Sequence, residues 1–183
     1  LGAWLKQPPP ESWQSLREQL IQQALAQPVV SVHRDFDAMN LMVHNQRLFM
    51  IDFQDAVAGP LSYDLISLLR GRYCRFSDEE FSDFVSAFYQ QARRDGRLPG
   101  RVDFATFLIQ CHAMAAQRSL KVLGIFCRLT LRDQKSGYLE RLPHFLDHLE
   151  DSLSFLTEQT DFTEWVTLTF RPALMKRLTE MPQ

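Results

Sequence analysis

Apolar positions along the chain recur first at mixed spacing and then, past residue 60, almost only at helical spacing. Trp13, Leu16, Leu20 and Ala24 stand three and four residues apart, which predicts a helix over Glu11–Ala26, opening after Pro8-Pro9-Pro10 and stopped by Pro28. Leu1–Gln7, ahead of the prolines, reads as extended chain. Val29–Val32 is a β-branched run and predicts a strand. Two further apolar runs, Leu41–Val43 and Leu48–Ile51, flank His44-Asn45-Gln46-Arg47 and predict a hairpin with Asn45 in its turn. A short loop, Ala56–Leu61, carries the punctuating Gly59-Pro60.

Helices are expected from there on. Ser62–Leu69 is short. Ser77 with Glu80 three residues later forms a capping-box pattern, so a helix begins there and runs to Asp95, before Gly96. Three more follow, over Asp103–Leu129, Gly137–Gln159 and Glu164–Leu178. Some seven helices around one small hairpin make an α+β domain that is mostly α. No internal repeat or linker interrupts it, and residues 1–183 read as one piece.

Composition narrows the class of partner. A net charge of -2 gives no electrostatic reason to expect nucleic acid or an anionic membrane surface. No apolar run approaches the roughly 20 residues of a membrane span, and no secretory signal pattern opens the chain. The three cysteines, Cys74, Cys111 and Cys127, are an odd number without CxxC spacing, which fits a reducing cytoplasm and supports neither a disulfide framework nor a zinc site. His144 and His148 stand one helical turn apart with no third ligand nearby and read as a surface pair; His112, among alanines, reads as core. Two arginine clusters, Arg70/Arg72/Arg75 and Arg93/Arg94/Arg97, read as solvated helix borders.

Two stretches carry chemistry. His33-Arg34-Asp35-Phe36-Asp37-Ala38-Met39-Asn40 follows the first strand, and Ile51-Asp52-Phe53-Gln54-Asp55 closes the hairpin. Phosphoryl transfer from ATP needs a carboxylate to orient and deprotonate the acceptor hydroxyl, and hard oxygen ligands for Mg²⁺. The spacing H-R-D-x-x-x-x-N matches His33–Asn40, and an antiparallel hairpin after Asn40 returns Asp52 to it. Asp35 is then the candidate base, Asn40 and Asp52 the candidate Mg²⁺ ligands, and His33 a buttress of the loop.

Those residues, within Val32–Leu69, resemble the aminoglycoside-phosphotransferase and choline-kinase superfamily, whose C-lobe is related to that of protein kinases. The stretch looks most like the bacterial anomeric kinases for N-acetylmuramate and N-acetylglucosamine that act in cell-wall recycling. Gln117–Phe126 and Tyr138–Pro143 resemble that branch too, so the likeness covers Val29 to about Leu149. It implies Asp35 as catalytic base, Asn40 and Asp52 as magnesium ligands, Asp55 in support, and Asp64 bracing the catalytic loop. Gln54 stands where protein kinases have a glycine, and no Ala-Pro-Glu follows, which favours a small-molecule acceptor.

The seven glycines and four lysines build no Gly-rich phosphate loop or strand lysine ahead of His33. The expectation is therefore a C-terminal catalytic lobe, with the nucleotide-binding N-lobe outside this chain, inactive by itself and prone to self-association through the surface left open. N-acetylmuramate carries a carboxylate, for which arginine is a natural partner; Arg70, Arg72, Arg118 and Lys121 are the candidates. The competing readings are another acceptor (an aminoglycoside, choline or a homoserine-like alcohol) or a catalytically silent binding module.

Overall fold

The computed structural model describes residues 2–180. Its elements run α1 (Gly2–Leu5), α2 (Trp13–Leu25), β1 (Val29–Val32), β2 (Leu41–His44), β3 (Arg47–Met50), β4 (Val57–Pro60), α3 (Tyr63–Leu69), α4 (Asp78–Arg94), α5 (Phe104–Leu131), α6 (Leu142–Leu153), α7 (Thr160–Trp165) and α8 (Arg171–Thr179). The fold is mostly helical with small antiparallel sheets, the α+β class that the apolar pattern implies. By contact density it divides into two compact units, residues 22–114 and residues 2–21 with 115–180.

In the first unit, β1 pairs antiparallel with β4, and β2 pairs antiparallel with β3. Strand β4 replaces the expected Ala56–Leu61 loop. Its segment, Val-Ala-Gly-Pro, has little strand propensity, and β1 recruits it by register: Val32 faces Val57 and Val29 faces Pro60. Gly59 is required there, because a Cβ would come within 2.7 Å of Val32 Cγ2. In the β2–β3 turn both Asn45 (φ 47°) and Gln46 (φ 59°) are left-handed, as a two-residue type I′ hairpin demands. The capping box of α4 is formed: Glu80 N–H donates to Ser77 Oγ, and Ser77 N–H donates to Glu80 Oε2. Leu61, Ile66, Leu69, Phe81, Val85 and Phe107 are the core of this unit, all nearly or wholly buried. His112 is buried in it, its ring 4.9 Å from that of Phe81.

In the second unit, α6 presents Leu142, Phe145, Leu146, Leu149 and Leu153 to a core shared with Leu16, Leu123, Phe162 and Leu174. Three expectations are corrected here. Leu1–Gln7 is not extended in its described part: α1 forms over Gly2–Leu5, closed by a hydrogen bond from Gln7 N–H to the Gly2 carbonyl and ended by Lys6 at φ 55°. The single helix over Gly137–Gln159 is three pieces, because Pro143 must sit in the first turn of a helix. The helix over Glu164–Leu178 contains a π turn at Val166–Phe170; Pro172, at the start of α8, has no N–H for an i→i−4 bond, and the ladder shifts register ahead of it. The expected surface histidine pair is also revised: His148 is fully buried, with its Nε2 3.1 Å from that of His144.

Candidate active site

The site forms where β1 ends and the β2–β3 hairpin opens, within residues 22–114. Asn40 ends a 3₁₀ turn (Ala38–Asn40) and leads directly into β2. Its carbonyl accepts from Ile51 N–H at 3.0 Å, one residue past β3. That bond extends the hairpin ladder by one rung and sets Asp52 beside Asn40. The Asn40 side-chain amide donates to the Asp35 carbonyl at 2.8 Å and to Asp35 Oδ2 at 3.4 Å. Asp35, Asn40 and Asp52, five and twelve residues apart in the chain, thus share one small region.

Two groups, the half-buried Asp64 and the buried His33, set the backbone of this region. Asp64, in the first turn of α3, accepts from His33 N–H at 2.6 Å and from Arg34 N–H at 3.1 Å. Arg34 is left-handed (φ 73°), a conformation a non-glycine residue holds only when its surroundings fix it. The Asp64 carboxylate is that constraint. His33 is buried, and its Nε2 lies 2.8 Å from the Ile51 carbonyl. A carbonyl only accepts, so Nε2 carries the proton. The imidazole therefore joins the end of β1 to the last residue before Asp52.

Asp52 is itself left-handed (φ 64°) and exposed, and its Oδ1 accepts from Gln54 Nε2 at 2.9 Å. Asp55 is exposed on the turn that follows, closed by Ala56 N–H to the Phe53 carbonyl. With the Asn40 amide nitrogen engaged, its Oδ1 is the face left for a cation, and Asp52 Oδ2 is the second hard donor. This set suits Mg²⁺, which takes one or two protein oxygens and completes its shell with phosphate oxygens and water. Among the described residues no group of three His, Cys, Asp or Glu side chains converges on a metal position, and Mg²⁺ held this way needs none.

The candidate cations fall differently. Arg70 is wholly buried, its guanidinium 4.3 Å above the Phe81 ring and 4.0 Å from Asp78, so it is an internal cation and not a solvated or open one. Arg72 is 40% exposed and bonds through Nε to Asp37 Oδ2 at 3.2 Å. Arg118 and Lys121 lie on α5 in the other unit, half-buried and exposed respectively.

Sequence reasoning missed Asp37 and Gln54. Asp37 is buried; it caps the 3₁₀ turn by accepting from Met39 N–H and anchors it to Arg72. An Asp two residues before an N–H it can accept is a signal for such a cap. Gln54 holds Asp52 from two residues away, and no sequence pattern announces that bond.

A loop bearing Asp35 braced from a following helix, with Asp52 returned beside it by a hairpin, suits phosphoryl transfer. The chain belongs to the phosphotransferase enzyme family, whose pattern it matches over residues 2–104. It is similar to the N-acetylmuramate/N-acetylglucosamine kinase of Neisseria meningitidis serogroup B, 44% identical over 137 residues, or 75% of this chain and 41% of that protein. The proteins of the same name from Pseudomonas putida and Pseudomonas aeruginosa are 35% and 34% identical, over 85% and 83% of this chain and 45% of each relative. The chain thus spans less than half the length of these relatives.

Proposed function

We propose that this chain is the C-terminal catalytic lobe of an ATP-dependent sugar kinase that phosphorylates the anomeric hydroxyl of N-acetylmuramate or N-acetylglucosamine. The observation that carries this reading is the Asn40 bridge, which donates to Asp35 on one side and receives the Ile51 backbone, next to Asp52, on the other. Asp35 orients the acceptor hydroxyl and takes its proton as the oxygen bonds to the γ-phosphorus of ATP and the bond to the ADP oxygen breaks. Asn40 and Asp52 would hold Mg²⁺, which neutralises phosphate charge when bound. His33 and Asp64 are positioning residues, acting through the backbone that carries Asp35 and Asp52. Asp55 supports the turn after Asp52.

The names of the relatives support the two amino sugars as the acceptor class, and Arg72, exposed beside the loop, is the retained candidate for the lactyl carboxylate. The nucleotide is held mostly by an N-lobe encoded outside this chain, and the enzyme works in the cytoplasm. The deciding experiment gives the complete protein Mg-ATP with N-acetylmuramate, N-acetylglucosamine, kanamycin, choline and homoserine, and reads the products by ³¹P NMR. A sugar 1-phosphate from the two amino sugars is expected. Phosphate on kanamycin, choline or homoserine alone would refute the acceptor class, and no transfer to any of the five would refute the kinase reading.

A further inference from the structure

A cavity of about 40 Å³ opens beside the 3₁₀ turn that joins Asp35 to Asn40. One wall is that turn, through Asp37 and Ala38; the other is the end of α3 and the loop after it, with Leu68, Gly71 and Tyr73. Its surface is almost wholly apolar, and its volume takes about two or three heavy atoms, too few for a sugar ring. Asp37 presents no open charge, since Met39 N–H and Arg72 occupy its oxygens. Ser67 is the exception on the helix side: it is fully buried, lines the cavity, and its hydroxyl has no hydrogen-bond partner among the described residues. Native proteins rarely leave such a group unmatched, and here it points to a ligand with one polar atom beside a small apolar end.

We infer that this cavity is the acyl subsite of the acceptor pocket, taking the methyl of a 2-acetamido group, with the Ser67 hydroxyl donating to its carbonyl oxygen. The inference rests on the sugar-kinase reading above. The chemistry of the substrate fits the placement: the acetamido group sits on the carbon next to the anomeric one, so its subsite must adjoin the base that faces the anomeric hydroxyl. Ala38 is three residues from Asp35. An apolar pocket discriminates one methylene by about tenfold to two-hundredfold, and a pocket this small leaves no room for a longer acyl chain.

The test uses the complete protein, Mg-ATP and N-acetyl-, N-propionyl- and N-butyrylglucosamine. In the wild type, kcat/KM should fall about tenfold or more from acetyl to propionyl and further to butyryl. Ala38→Leu and Leu68→Phe fill the cavity from opposite walls. Each should lower kcat/KM for N-acetylglucosamine by about tenfold or more, and by less for glucosamine, which carries no acyl group. If either variant fails to fold, as read by circular dichroism, the wild-type acyl series decides. Equal use of all three acyl sugars, or filled variants that treat N-acetylglucosamine as the wild type does, overturns the subsite alone. Failure to phosphorylate any sugar overturns the kinase reading, and the subsite falls with it.

Discussion

Asp35 is exposed, and its side chain meets the Asn40 amide at 3.4 Å, which leaves carboxylate lone pairs for an incoming hydroxyl. Asp35→Asn keeps the shape and removes the proton acceptor, so turnover by the complete protein should fall by about 10² to 10⁴ with the fold unchanged. Phosphate transfer and a thermal melt, taken together, check this; undiminished turnover would remove Asp35 from its role. Asp64 acts through the backbone instead. In Asp64→Asn one acceptor oxygen becomes an NH₂ that faces an N–H, and the left-handed Arg34 loses half its restraint. Hydrogen bonds to a charged group contribute about 1.5–3 kcal/mol, so denaturant titration should show a loss of that order, together with a lower kcat. At this scale the sequence was legible where fixed spacing and a hairpin bring residues into one region, as for Asp35, Asn40 and Asp52. It was silent where a role depends on which rotamer meets which neighbour. Nothing in the order of residues says that Gln54 reaches back to Asp52, that Arg72 meets Asp37, or that Arg70 lies buried over Phe81.

The elements were legible in proportion to their dependence on local signals. The capping box at Ser77 and the left-handed turn at Asn45 are local and were readable; β4 exists only because β1 offers it a ladder, and the π turn only because Pro172 disturbs a helix otherwise well patterned. On α8, Arg171 donates to Glu150 at 2.8 and 2.6 Å and to Asp147 at 2.6 Å, which joins α8 to α6. These partners hold the guanidinium's pKa above its ordinary value, chiefly through the Glu150 hydrogen bond. Its loss of charge would come only at extreme alkaline pH, so this contribution is constant across the working range. Arg171→Met should cost about 1–3 kcal/mol, as hydrogen bonds to charged groups do, with a lower melting temperature as the readout. On α5, burial pushes the Cys127 thiol up from 9.0 to about 11, and burial raises the Cys111 thiol as well, while Cys74 is exposed. Iodoacetamide at pH 8 should therefore label Cys74 alone in the native protein and all three in urea. The folded state keeps the Cys127 proton where the unfolded chain releases it, so this group's contribution to stability is intact below pH 9 and is lost as pH rises towards about 11. Comparing Cys127→Val with the wild type across that range isolates the effect; identical slopes would contradict it.

At the scale of the whole molecule, the hairpin that carries the site leaves most of its large apolar side chains in water. Met42, Val43, Leu48, Met50 and Phe53 are at least half exposed, and Phe49 nearly so. Two strands bury too little to be stable alone, and monomeric proteins rarely leave a contiguous apolar patch of this kind in water. The relatives are more than twice the length of the segment they share with this chain, so the proposed N-lobe has the size to cover the patch. The chain of 183 residues should consequently bind 8-anilinonaphthalene-1-sulfonate and self-associate on sedimentation, whereas the complete protein should do neither through this face. Val43→Lys with Leu48→Glu separates the causes: these side chains are exposed on the hairpin, so charge there should disperse the short chain without unfolding it. In the complete protein the same pair should weaken ATP binding, because a lobe that packs on the hairpin would be displaced from it. Dispersal of the short chain with unchanged ATP affinity in the complete protein would mean that the hairpin meets something other than the nucleotide-binding lobe.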